Sequence, residues 1–274
     1  MLALESPIAK AVRSVRSYMG ANAALLVSAA VGAAAFALLI TLSADVYEAV
    51  TIGNGVSGLD RPTLDLAISL RTPAGERWVT AFTNVGGTIP MVFIALTLTA
   101  AMYALWRRRS IPLMMVIAAA GSLIFTGVGK TVVGRARPPL ALAVPPYEYA
   151  PSFPSGHTLN STVIALMLAY LAWWLSGSLW VRVICPVLGA AWAAAMGLSR
   201  VYLGHHWITD VIFGWLFGLA WLALLITVHR IVLRLDRRDR RVIEHGGVPD
   251  QPPEKAIEPG GGPEPAPPNS PPPQ

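Results

Sequence analysis

Charged residues and cysteine are scarce in this chain of 274 residues. Only 13% of the residues are charged and 54% are hydrophobic, whereas soluble domains carry about 25% charged residues. This balance indicates a polytopic membrane protein. The single cysteine, Cys185, lies in an apolar run, so a disulfide framework is excluded and zinc–thiolate chemistry is disfavoured.

The apolar runs also lack the alternation of polar and apolar residues that is typical of membrane β-barrels. The net charge of +6 does not point to nucleic acid, because most basic residues flank apolar runs, which fits membrane orientation better. We therefore expect no nucleic-acid partner.

Six apolar runs are long enough to cross a bilayer, which requires about 20 apolar residues per helix. We therefore predict an all-α, polytopic membrane protein with six transmembrane helices. The first run is too long for a signal peptide and lacks a small-residue cleavage site, so we expect it to be retained. The predicted spans cover approximately residues 21–42, 88–106, 111–130, 157–176, 180–198 and 208–231.

Basic residues near the ends of these spans predict the orientation of the chain. With six spans, the groups at Lys10–Arg16, Arg107–Arg109 and Arg230–Arg241 all fall on one side. By the positive-inside rule, that side is cytoplasmic and holds both termini. We expect a multi-pass protein of the plasma membrane whose polar motifs face away from the cytoplasm.

The chain divides into three predicted parts. Residues 1–20 form a cytoplasmic N-terminal segment. Residues 21–245 form the membrane domain, with an extracytoplasmic connector at 43–87 whose apolar stripe between Leu59 and Leu70 predicts a short interfacial helix. Residues 246–274 are dominated by Pro, Gly and Glu and predict a disordered cytoplasmic tail.

Three short polar motifs lie at the ends of predicted spans, and the third contains His206 and Asp210 at helical i, i+4 spacing. The carboxylate can fix the imidazole tautomer and make the other ring nitrogen a nucleophile or base. Arg200, six residues upstream of His206, can bind the same phosphate through two hydrogen bonds. The adjacent His205 points about 100° away and is expected to be a bystander. The alternative is a boundary histidine capped by Asp210, with Arg200 among lipid head groups.

The second motif, Pro154-Ser155-Gly156-His157, directly precedes the fourth span. Unpaired backbone N–H groups and the helix dipole favour an anion at a helix start, and Gly156 lets an oxyanion approach closely. Ser155 adds a donor, and His157 can protonate a leaving oxygen. Alternatively, Ser155 is an ordinary N-cap and His157 an interfacial side chain.

The first motif ends the third span and contains Lys130 and Arg137 on either side of a turn at Gly134. Both side chains can reach one anion. The alternative is positive charge at a membrane edge, which the positive-inside rule disfavours on this side. Spacing alone does not decide whether the neighbouring Arg135 also reaches the site.

In this order and spacing, the three motifs resemble those of the type 2 phosphatidic acid phosphatase superfamily, whose phosphate pocket is shared with the vanadium haloperoxidases. All the defining residues of the motifs are present. The resemblance covers roughly residues 83–218, including the weaker Thr83-Asn84-Val85-Gly86 stretch, and Gly214 and Gly218, where helices can pack closely. It implies a haloperoxidase-like helical core.

The resemblance also implies a role for each motif residue. His206 would be the nucleophile that forms a phosphohistidine, Asp210 would orient it, and His157 would protonate the leaving group. The phosphoryl oxygens would be held by Lys130, Arg137, Ser155, Gly156 and Arg200. Fixed cations can support phosphoryl transfer without a metal, and the sequence has no Asp/Glu cluster beside the motifs. We therefore expect neither a metal nor a cofactor.

These features predict a phosphatase that hydrolyses a phosphomonoester or diphosphate group of a membrane lipid. Candidate substrates are a polyprenyl diphosphate, phosphatidylglycerol phosphate and phosphatidic acid. One alternative is a phosphotransferase with the same first half-reaction, which an assay with water as the sole acceptor distinguishes. Another is a non-catalytic lipid phosphate carrier, although binding alone would not need the histidines. No stable protein partner is expected.

Overall fold

The computed structural model describes the backbone of residues 7–246 and the side chains of residues 23 and 25–236. The predicted tail beyond Gly246 and the first six residues lie outside the described residues. Within them all regular structure is helical, which confirms the predicted all-α fold. The α-helices are α1 (Pro7–Ile52), α2 (Asp60–Ser69), α3 (Pro73–Val85), α4 (Thr88–Trp106), α5 (Ser110–Val133), α6 (Gly156–Leu175), α7 (Leu179–Tyr202) and α8 (Ile208–Gly246).

Six of the described helices, α1 and α4 to α8, are long and apolar enough to cross a membrane, as predicted. The first apolar stretch differs from its predicted position at 21–42, because it covers Leu25–Ile52. No proline or glycine lies between Leu42 and Gly53, so the helix continues until Gly53 ends it with a φ of 78°. The first ten residues of the predicted connector are therefore helical.

The rest of the connector contains α2 and α3. Leu64, in the predicted apolar stripe, is buried. The side chain of Thr72 accepts a hydrogen bond from the Gly75 N–H at 3.0 Å and so caps the start of α3. Arg71 donates to the carbonyl oxygens of Tyr202 and Leu142, each at 2.7 Å. These bonds hold the connector against the end of α7 and the loop that precedes α6.

The buried core is built around α6. Its apolar side chains pack against α4, α5 and α8, through a cluster that includes Met91, Ile111, Met115, Leu159, Met167 and Leu222. A Cβ at Gly214 would lie 3.1 Å from Thr158 Cβ, and one at Gly218 would lie 3.3 Å from Thr162 Cγ2. This confirms the close helix packing expected at both glycines, and it fixes the start of α6 beside the start of α8.

Candidate active site

Helix ends and one loop surround a polar cavity of about 480 Å³. Its walls come from the start of α4, the end of α5, the start of α6, the loop before α6 and the turn before α8. Five of the predicted site residues line it: Lys130, Arg137, Gly156, His157 and His206. The other three are buried outside this lining: Ser155, Arg200 and Asp210. All three motifs therefore meet at one place.

His206 lies between a guanidinium group and a carboxylate. Arg137 Nη1 is 3.1 Å from His206 Nε2, and Asp210 Oδ2 is 3.3 Å from His206 Nδ1. A guanidinium can only donate, so Nε2 accepts and we assign the ring proton to Nδ1, which faces Asp210. Burial, together with the charges of Arg137 and Arg200, holds the pKa of His206 well below its usual 6.5. The ring is therefore neutral at pH 7, with the Nε2 lone pair on the side of Arg137.

Asp210 is fully buried and accepts hydrogen bonds from several segments. The Trp207 N–H donates at 3.0 Å, Arg135 Nη1 donates at 2.6 Å, and the Ser152 hydroxyl donates as well. The spacing of the motif did not show whether Arg135 reaches the site. In the structure, Arg135 binds Asp210. Ser152 escaped the sequence analysis, since a serine in a loop carries no distinctive spacing. These donors fix the carboxylate that orients His206.

Glu148, in the loop before α6, is the main cavity residue that the sequence analysis missed. Its carboxylate binds Arg200, lies 2.9 Å from Arg137 Nη2 and lies 4.0 Å from His206 Nε2. Burial raises the pKa of Glu148. The nearby positive charges, of which Arg200 has the largest effect, lower the pKa by more than burial raises it, so that it falls to about 2. One signal was available in the sequence: Glu148 is the only acidic residue between Glu76 and Asp210.

Arg200 connects the cavity to the stretch at Thr83. Its Nη1 donates to Thr83 Oγ1 at 3.0 Å, while its Nη2 binds Glu148. This contact gives a physical reason why the Thr83–Gly86 stretch takes part in the family resemblance, although its signal is weaker than that of the motifs.

Lys130, at the end of α5, donates through Nζ to the Pro151 carbonyl oxygen.

Ser155 caps α6 in this structure. Its Oγ accepts hydrogen bonds from the Thr158 N–H at 3.4 Å and from the Thr158 hydroxyl at 2.9 Å, and the side chain is buried. Gly156 follows it in the cavity wall, where a Cβ would lie 3.0 Å from Thr126 Cγ2.

His205 Nε2 donates to the Val144 carbonyl oxygen at 2.7 Å, and this side chain does not line the cavity.

An apolar groove of about 410 Å³ adjoins the polar cavity. It lies between α4 and α5 and is lined by side chains such as Met91, Ala95, Met115 and Ala119. The groove and the cavity share Gly86, Thr88, Leu123 and Asn160. A molecule with a phosphate at one end and a hydrocarbon chain at the other can therefore occupy both.

Comparisons with known proteins find similarity over the region that contains these motifs. The model of the PAP2 superfamily matches residues 110–233, which contain all three motifs. Phosphatidylglycerophosphatase B of Bacillus subtilis (strain 168) is 29% identical over 171 residues, covering 61% of this chain and 81% of the relative. Undecaprenyl-diphosphatase of Sulfolobus acidocaldarius is 33% identical over 141 residues, covering 48% of this chain and 62% of the relative.

A solved structure shows the same fold. The first transmembrane PAP2-type phosphatidylglycerolphosphate phosphatase from Bacillus subtilis superposes with a TM-score of 0.63 at 24% identity, covering 73% of this chain and 96% of that chain. The chain is thus a multi-pass membrane phosphatase, a hydrolase of phosphate esters. Residues 110–233 match the PAP2 superfamily, the family that the motifs predicted.

Proposed function

We propose that the protein removes the terminal phosphate of a membrane lipid through a phosphohistidine intermediate at His206. The observation that carries the proposal is the placement of the imidazole ring. Nε2 of His206 accepts a hydrogen bond from Arg137 in the wall of a cationic cavity, while Nδ1 is held by Asp210. Binding alone would need the cations, but it would not need an imidazole held in one tautomer.

In the first step, Arg137 moves from His206 Nε2 to the phosphoryl oxygens, which frees the Nε2 lone pair. This lone pair attacks phosphorus, and the bond from phosphorus to the lipid oxygen breaks. Binding of the anionic phosphate favours the protonated form of His157, which lines the same cavity and then gives this proton to the leaving oxygen. Asp210 stabilises the positive charge of the phosphorylated ring. The phosphoryl oxygens are bound by Lys130, Arg137, the Gly156 N–H and, after Glu148 moves, Arg200.

In the second step, water attacks phosphorus and the phosphorus–nitrogen bond breaks. His157 takes a proton from the water, and His206 returns to its neutral form. The products are inorganic phosphate and a lipid alcohol, or a lipid monophosphate when the substrate is a diphosphate. The cationic side chains supply the charge stabilisation that phosphoryl transfer needs, and the described residues contain no group of three or more His, Cys, Asp or Glu side chains suited to a metal ion.

The lipid chain of the substrate would lie in the groove between α4 and α5. Apolar side chains dominate that groove, and it opens into the polar cavity at Gly86 and Thr88. Burial of hydrocarbon there contributes about 25 cal/mol for each Å² removed from water. The names of the relatives favour phosphatidylglycerol phosphate or a polyprenyl diphosphate as substrate, with phosphatidic acid as a third candidate.

The active site would face away from the cytoplasm. The cavity lies at the start of α4, as Thr88 shows, whereas Arg107–Arg109 follow the other end of that helix. Arg182, near the start of α7, is likewise separated from the cavity by the length of its helix, since Arg200 lies at the opposite end. The positive-inside rule places such basic residues in the cytoplasm, which supports an extracytoplasmic site.

One assay tests this proposal. Purified protein in excess EDTA is given each of the three candidate lipids with water as the sole acceptor, and released phosphate is measured. We expect release from at least one lipid and inhibition by orthovanadate, which resembles the phosphoryl transition state. Release that requires an added acceptor lipid would indicate a phosphotransferase, release that requires Mg²⁺ would exclude the metal-free mechanism, and no release would favour a carrier.

A further inference from the structure

Asp60, the first residue of α2, lies outside all three motifs and yet is buried against the start of α8. Its side chain accepts hydrogen bonds from the Thr209 N–H at 3.0 Å and from the Thr209 hydroxyl at 2.8 Å. Arg135 Nη2 donates to the other carboxylate oxygen. Only 6% of Asp60 is exposed. A carboxylate from the connector thus binds the residue that directly precedes Asp210.

Arg135 links this carboxylate to the reaction centre. One of its terminal nitrogens binds Asp60 and the other binds Asp210 Oδ1 at 2.6 Å. Asp210 in turn faces His206 Nδ1 at 3.3 Å. The four side chains therefore form one row, in which two carboxylates flank a single guanidinium. Together, Asp60, Arg135 and Asp210 carry one net negative charge.

We propose that Asp60 is a positioning residue for phosphoryl transfer, which acts through Arg135 on Asp210 and His206. This inference rests on the proposed phosphohistidine mechanism. His206 becomes positively charged as its Nε2 bonds to phosphorus. Because Asp60 offsets the charge of Arg135, Asp210 keeps its full negative charge for the imidazolium. Without Asp60, the pair of Arg135 and Asp210 is neutral, and the positive ring has no net counter-charge.

The stabilisation that Asp60 provides should be larger in the transition state than in the complex with bound substrate. Asp60 lies outside the cavity lining, and the cations that bind phosphate do not depend on it. The charge on the His206 ring develops only as the bond to phosphorus forms, so the interaction mainly lowers the activation barrier. A residue that merely capped α8 would instead change stability, without this split between kcat and KM.

The first test compares Asp60→Asn with Asp65→Asn, using dioctanoyl phosphatidic acid as substrate and inorganic phosphate as a probe of ground-state binding. Asp65 lies on the same helix, exposed and paired with Arg61, so it is a matched control. We expect Asp60→Asn to lower kcat on the order of 100-fold, with KM and the Kd of inorganic phosphate changed less than about threefold. Asp65→Asn should leave all three unchanged. A wild-type kcat in Asp60→Asn would overturn the proposal.

The double variant Asp60→Asn/Arg135→Gln gives the sharper test. It removes one negative and one positive charge. The group formed by positions 60, 135 and 210 therefore has one net negative charge again, and this charge lies on Asp210 beside His206. We expect its kcat to exceed that of Asp60→Asn by about tenfold. If Asp60 only held the fold together, the double variant would be no faster than the single one, and this result would overturn the proposal. If Asp60→Asn does not fold, the double variant is compared with wild type instead. A kcat within about tenfold of the wild-type value supports the proposal, and a kcat about 100-fold lower contradicts it.

His206→Ala separates this inference from the mechanism on which it rests. Should His206→Ala hydrolyse the same lipid at the wild-type rate, the phosphohistidine mechanism fails, and the role of Asp60 fails with it. Should His206→Ala be inactive while Asp60→Asn retains wild-type kcat, only the role of Asp60 is wrong. Thr209→Val completes the set, because it removes the hydroxyl that contacts Asp60 and Arg135 but keeps every charge. Its kcat should stay within about threefold of wild type.

Discussion

Glu148 binds Arg200 through an ion pair beside the His206 ring. A carboxylate and a phosphate compete for the same guanidinium donors. In the proposed mechanism, Glu148 therefore occupies the position that a bound phosphoryl group would need, and it would have to leave before Arg200 could bind substrate. Only the molecules in which Glu148 has moved away can then bind phosphate at Arg200. The apparent affinity for phosphate is reduced in proportion to their fraction.

Glu148→Gln should therefore bind oxyanions more tightly. The amide has the same shape but lacks the charge that competes for Arg137 and Arg200, so we expect the orthovanadate Kd to fall by about tenfold. Isothermal titration measures this directly. Glu48→Gln, an exposed change on α1, is the control and should not alter the Kd. An unchanged or weaker affinity in Glu148→Gln would show that the carboxylate does not compete with the ligand.

His206→Ala should abolish turnover, by about four or more powers of ten in kcat. In the proposed mechanism this variant loses the nucleophile, whereas the cations that would bind phosphate remain. His205→Ala is the matched control, because it removes an imidazole that binds the Val144 carbonyl and does not line the cavity. Its kcat should remain within about tenfold of wild type. Equal losses in both variants would contradict the assignment of His206.

Acid should destabilise the protein through His206. Its pKa is held well below 6.5 in the folded state by burial and by the charges of Arg137 and Arg200. The unfolded state then binds more protons as the pH falls through 6.5, so the free energy of unfolding decreases. Between pH 7.5 and 5.5 this one group contributes a loss on the order of 1 kcal/mol.

Melting temperatures at the two pH values measure this effect. His206→Gln should lose less stability on acidification than wild type, because the titrating group is absent. The pKa of His205 is also lowered in the folded state, chiefly by burial, and it contributes equally in both proteins. Identical pH dependence of the two melting temperatures would rule out a depressed pKa at His206.

The groove can be tested with two neighbouring alanines on α5. Ala119 lines the apolar groove, whereas Ala120 is exposed and lies outside its lining. Ala119→Phe should raise KM by about tenfold for a long-chain lipid phosphate and much less for a dioctanoyl one, because it fills the space for the chain. Ala120→Phe should change neither value. Equal effects of the two variants would place the lipid chain elsewhere.

Cysteine labelling tests the orientation. With Cys185 replaced by Ser, a cysteine at Leu140 in the loop before α6 should react with an impermeant thiol reagent in intact cells. A cysteine at Arg109, between α4 and α5, should react only after the cells are opened, because the positive-inside rule places it in the cytoplasm. The reverse pattern would refute the extracytoplasmic site.

The sequence by itself predicted the helical class, the number of spans and five residues of the cavity wall. Span length and i, i+4 spacing are local properties, so an apolar run and the pair of His206 and Asp210 can be recognised without a structure. The end of α1 was placed ten residues early, because the prediction followed the hydrophobic run and the helix continued until Gly53.

Only the tertiary structure revealed Glu148, the position of Arg135, and the contact between Asp60 and Thr209. Arg200 and Glu148 are 52 residues apart in the chain, and Asp60 and Thr209 are 149 apart. No helical or extended period links residues at such distances. Their contacts depend on how the connector and the loop before α6 pack against α7 and α8, because buried charges find their partners through the packing of whole segments rather than through local spacing.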